Sequence, residues 1–153
     1  MNSRNYRKSL LLGCLLAVSG TVLPGAADAA CTQANAVGTW YAMGVSGDSY
    51  FGELGEIDRC KLVVNSNNRI VASSSSCVYR DARGQFNFQV TGGAINVSST
   101  CTVTGNINVC DSGFCNTIRI QYAQMARDKN TFSMVGYLNI DTDVVFFYKV
   151  VKQ

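Results

Sequence analysis

Residues 64–77, VNSNNRIVASSSSC, and residues 90–101, VTGGAINVSSTC, repeat one pattern: apolar run, polar turn residues, second apolar run, then a serine-rich end closing on cysteine. Alternating β-branched residues favour strands, and Asn and Gly tolerate the positive φ of a tight turn. Around these fragments, residues 60–115 hold five of the seven cysteines, so the stretch reads as short β-hairpins pinned by cysteine. The expected fold class is all-β: a small antiparallel barrel or sandwich of about 8–11 short strands, disulfide-stapled.

Outward from this stretch, Phe86, Phe88 and Val90 alternate with Gln85, Asn87 and Gln89, which predicts a half-buried strand. Residues 61–65, 69–73, 77–80, 85–90 and 94–98 read as successive strands. In residues 101–110, CTVTGNINVC, a two-residue Gly105-Asn106 turn would set Cys101 opposite Cys110. A three-residue loop over 104–106 instead gathers Cys101, Val103, Ile107 and Val109 on one face. A one-residue slip inverts every side chain, and the cleaner apolar face favours the second register. Residues 117–125, 131–138 and 144–151 read as a meander of longer strands joined at 127–130 and 139–143. In the last strand both faces are largely apolar, so it is either central to the core or exposes a stripe to a ligand or partner. No apolar period of 3.6 persists for three turns, so helices are not expected.

The N-terminal end predicts export. Arg4, Arg7 and Lys8 precede an apolar run over residues 10–18, then Pro24 and the small-residue site Ala27-Asp28-Ala29. That is the layout of a secretory signal peptide over residues 1–29, and the run is too short to span a membrane. The mature chain, residues 30–153, is expected to be a single β domain, secreted or periplasmic, with no membrane span after signal cleavage.

The leader takes Cys14, three basic residues and Asp28 with it, so 13 basic and 10 acidic side chains become ten and nine. Such a near-neutral chain lacks the basic stripe that phosphate backbones require, and nucleic acid is not an expected partner. Six cysteines remain: Cys31, Cys60, Cys77, Cys101, Cys110 and Cys115. An even count in an exported chain predicts three bridges. Local closure and the matching ends of the two fragments suggest Cys110 with Cys115, Cys77 with Cys101 and Cys31 with Cys60.

No histidine occurs, which removes the commonest general base, the usual nucleophile pairs and the commonest metal ligand. One close cysteine pair cannot build a four-ligand zinc site. The acidic residues Asp48, Glu53, Glu56 and Asp58 match no calcium-loop spacing, and read as a solvated, glycine-rich connection over 47–59. An enzyme is therefore not expected, nor a cofactor or metal.

Two function classes remain. One is a binding protein for a small apolar or amphipathic ligand, with Trp40, Tyr41, Phe86, Phe88, Phe146 and Tyr148 as candidate contacts. The other is a protein-binding module such as a secreted enzyme inhibitor or surface-structure subunit. Trp40, the only tryptophan, either lines a ligand cavity or plugs one end of a barrel, and the plug is the simpler role.

Gly38-Thr39-Trp40-Tyr41 resembles the opening of the calycins, the lipocalin and avidin barrels. Thr142-Asp143, leading into an aromatic strand, is similar to the second lipocalin motif. The resemblance implies an up-and-down antiparallel barrel. It departs from lipocalins in lacking a third motif. It departs from avidins in having Ala42 where that family places a polar biotin contact, so biotin is not implied.

Overall fold

The computed structural model describes residues 30–48 and 53–153. The expected signal peptide therefore lies outside the described residues. Eight strands form one closed antiparallel barrel: β1 (Gly38–Asp48), β2 (Glu53–Val64), β3 (Ser76–Asp81), β4 (Gly84–Val97), β5 (Val103–Asp111), β6 (Phe114–Met125), β7 (Thr131–Leu138) and β8 (Val144–Lys152). Each strand pairs with the next, and β8 returns to β1 along a register from Trp40↔Lys152 to Asp48↔Val144. Closure removes every sheet edge and decides between barrel and sandwich.

Period-two alternation explains the core. Trp40, Leu62, Val64, Ile95, Val97, Val103, Ile107, Ile118, Phe132, Met134 and Val150 are buried inside the barrel, while Gln85, Asn87 and Gln89 on β4 face out. Eight strands leave an interior that side chains can fill or that can hold one small ligand. Here the two ends differ. One end is stoppered by the 3₁₀ turn Gln33–Ala36, with Ala36 buried and the Gln33 side chain clamped to the backbone of Ile95 and Val97 (2.9 and 2.8 Å).

Several expected hairpins are continuous strands. Residues 85–90 and 94–98 fuse into β4, where a bulge falls at Thr91, while Gly92 and Gly93 (φ 146° and 130°) pair with Asn108 and Ile107 and make no turn. Residues 101–110 likewise hold no hairpin, because Gly105 (φ 140°) lies inside β5. Val103, Ile107 and Val109 share the inner face as the apolar pattern demanded, through straight alternation along one strand. The expected strand at 69–73 reduces to bridges from Arg69 and Ile70 and a 3₁₀ turn Ala72–Ser74. β3 has only six residues, and this segment covers the closed end beyond it, with Ile70 N donating to Gly93 O (3.1 Å). The 47–59 connection is also corrected, since residues from Glu53 onward belong to β2.

The bridges are Cys31–Cys101, Cys60–Cys77 and Cys110–Cys115. The last was expected; the other two correct the pairing inferred from matching fragment ends. Cys60 and Cys77 are direct partners on β2 and β3, both pointing inward. Cys110 and Cys115 are partners across the β5–β6 hairpin, whose loop residues Ser112 and Gly113 both have positive φ, as a type I′ turn requires. Cys31 instead ties the N-terminal segment to the β4–β5 loop at the closed end. Three such bridges are the mark of an oxidising environment. Denatured, unreduced protein spanning residues 30–153 should show no reactive thiol on titration, and a stoichiometric thiol would contradict this pairing.

Candidate functional site

The end opposite the 3₁₀ turn is hollow. A cavity of about 350 Å³ opens there, walled by Phe88, Val109, Ile118, Leu138, Val144 and Phe146, with Phe114, Asn116 and Ser112 at its mouth and the carboxylates of Glu56 and Asp111 on its lining. Alternation on β2 puts Glu56, Asp58, Cys60, Leu62 and Val64 on the inner face, descending from this mouth toward the closed end. Asp58 thus stands one inward position below Glu56.

The polar groups are ordered around these acids. Ser46 Oγ, 1 % exposed, donates to Glu56 Oε2 at 3.0 Å. Tyr79 donates its hydroxyl to Asp111 at 3.2 Å and stacks between Phe86 and Phe88 (centroids 5.0 and 4.6 Å). Asp58 is 2 % exposed, and neither of its carboxylate oxygens has a hydrogen-bond partner. A buried charge without partners is costly. Burial pushes its pKa from 3.8 up to about 6; the Ser46 and Tyr148 hydroxyls offset part of the rise without completing a hydrogen bond, and the charge of Glu56 adds to it. Burial first, and then Asp58, hold the Tyr148 phenol well above its ordinary range. Gly44, between Asp58 and Tyr148 in the sheet, admits this ring: a Cβ there would lie 2.6 Å from Tyr148 Cδ1 and 1.9 Å from the Phe147 carbonyl oxygen.

A raised carboxyl pKa reverses the usual acid-stability sign. The folded chain binds the Asp58 proton more tightly than the unfolded chain, so this group adds stability as pH falls from about 7 toward 4. The shift corresponds to ~3 kcal/mol. Glu56 on β2, Tyr79 on β3 and Tyr148 on β8 are the other titratable groups facing it. Asp58→Asn should flatten the pH 4–7 stability slope and raise the urea midpoint at pH 7.5. An unchanged slope would place the carboxylate in water.

Of the residues expected to contact a ligand, Phe88 and Phe146 line the cup, Phe86 stacks at its rim and Tyr148 lies beneath Phe146 (centroids 6.0 Å). Trp40 is at the other end. It is 2 % exposed, donates its indole N–H to Ala36 O at 2.7 Å and packs edge-on against Phe132. Tyr41 points outward and is 43 % exposed. The acids were missed because composition made 47–59 look like a loop. Extending the inward alternation of Leu62 and Cys60 back through Asp58 and Glu56 was the available signal.

The chain matches no protein-family model, no curated protein and no solved structure. Its chemistry is therefore read from the cup itself.

Proposed function

We propose that this protein is an exported, non-catalytic binding protein that takes a small amphipathic ligand into the open end of its barrel. The observation that carries this reading is the cup: apolar and aromatic walls around about 350 Å³, with a few placed polar groups, the usual make-up of small-molecule sites. The calycin-like stretches at 38–41 and 142–143 agree with a ligand-holding barrel by analogy of type. Three disulfides and the leader-like N-terminus favour a secreted or periplasmic location. A barrel that spans a membrane turns an apolar belt outward; the outward Gln85, Asn87 and Gln89 of β4 support a water-facing barrel instead.

Incubating the refolded mature domain with a total extract of its own compartment, followed by mass spectrometry of what it retains, tests the reading. A retained small molecule, displaced by narrowing the cup with Val109→Trp, is the expected result. Turnover of any substrate would overturn it.

One observation favours the alternative of a protein-binding module. Tyr41 and Met43 on β1, Phe147 and Val151 on β8 and Tyr122 on β6 are exposed on the outer wall, and the register aligns Tyr41 with Val151 and Phe147 with Val135 and Tyr122. Retention of a protein that Phe147→Ser abolishes, with no small molecule retained, would select this second reading.

A further inference from the structure

The cup's charge is one-sided. Among the described residues its charged lining side chains are Glu56 and Asp111, and directly below Glu56 the inward Asp58 has two oxygens without a hydrogen-bond donor. Among the described residues nothing basic lines the cavity. Lys152, the inward cation of β8, sits at the far end over Trp40 and donates to Asn35 O (3.1 Å). Arg83, at the β3–β4 turn, is taken by Asp81. An anionic ligand would meet uncompensated repulsion here, and a neutral one would leave Asp58 as it is.

A metal ion fits poorly. Among the described residues no three Asp, Glu, His or Cys side chains converge as ligands, whereas hard cations take six or more oxygens. An ammonium group needs less: three donors for a few acceptors, with aromatic faces nearby to favour the cation. Phe88 and Phe146 supply such faces on the walls.

Building on the reading of the cup as a ligand site, we propose that its ligand is an organic amine, with the protonated nitrogen against Glu56, above the buried Asp58, and an apolar or aromatic body against Phe88, Phe146 and Leu138. The ammonium donates to Glu56 and offsets the negative charge that Asp58 adds beneath it. No bond is made or broken.

The test uses the mature, disulfide-bonded domain and three probes of one shape: 2-phenylethylamine, 2-phenylethanol and phenylacetate, titrated calorimetrically at pH 7.5. The amine should bind about 10–100-fold more tightly than the alcohol, the range of one charge-assisted hydrogen bond, and phenylacetate should bind weakest. Glu56→Gln, which removes a charge from the cup's lining, should erase most of the amine's advantage over the alcohol. Asp58→Asn should weaken the amine in the same direction, less strongly. Since the Asp58 carboxyl titrates near 6, amine affinity should fall between pH 7.5 and 5, with Glu56, Tyr79 and Tyr148 the other titratable groups facing it; the Asp58→Asn variant should lose that component. Alcohol or phenylacetate binding as tightly as the amine, no binding of any probe, or a Glu56→Gln variant with the amine preference intact overturns the proposal. Retention of a neutral or anionic small molecule from extract would remove the amine while leaving the cup a binding site. Retention of none would remove both.

Discussion

Replacing Trp40 by alanine is expected to lower the unfolding free energy by about 3–5 kcal/mol, the range for truncating a buried aromatic. The cost has three sources. The indole fills the closed end against Phe132, it covers the 3₁₀ turn through its hydrogen bond to Ala36 O, and its face carries the Lys152 ammonium at 5.3 Å. Removing it leaves a cavity and frees the Ala36 carbonyl. Urea unfolding followed by circular dichroism measures the loss, and a change under ~1 kcal/mol would be too small for a buried aromatic. The cup should be little affected in the folded fraction, because Trp40 lines none of it.

The second large effect is expected from the bridge that joins the N-terminal segment to the β4–β5 loop. Chain-entropy reasoning makes a disulfide's contribution grow with the loop it closes, and Cys31–Cys101 closes 70 residues against 17 for Cys60–Cys77 and 5 for Cys110–Cys115. The corresponding contributions are about 4, 3 and 2 kcal/mol. Three double-serine variants compared by denaturant midpoint should follow that order, with Cys31→Ser/Cys101→Ser the least stable. A hairpin variant lacking Cys110 and Cys115 that proved weakest would show that local hairpin geometry outweighs loop length here.

Strand type, the β7 span, the start of β8 and the Cys110–Cys115 bridge were legible in the sequence, because each depends on local alternation or on a two-residue turn. The closure of the barrel and the other two bridges were not. Gly92-Gly93 and Gly105-Asn106 carry the same residues whether the chain reverses or merely coils within a strand. The partner decides: a Cβ on Gly93 would meet Asn106 O at 2.2 Å, and one on Gly105 would meet Ala94 O at 2.0 Å. These glycines are needed for close strand approach, a relation between residues no local window contains. The same limit hid Asp58. Its neighbours in sequence are Gly55, Glu56, Ile57 and Arg59, a mostly polar stretch that looks solvated, while its neighbours in space are Gly44, Tyr79 and Tyr148.

The seam between β1 and β8 pairs the strands farthest apart in sequence, the kind of contact that topology makes slow to form. Trp40 cannot find Lys152, nor Asp48 find Val144, until nearly the whole chain has been delivered. Until then the free sides of β1 and of the latest strand stay open to pairing with another chain. Contacts so distant in sequence place the final step among the slow ones, milliseconds to seconds for β-rich domains. During that interval Cys31–Cys101 spans β1 to β4 without any residue of β8. Oxidation of this pair can therefore precede closure and hold the first half of the wall in register while the second half arrives.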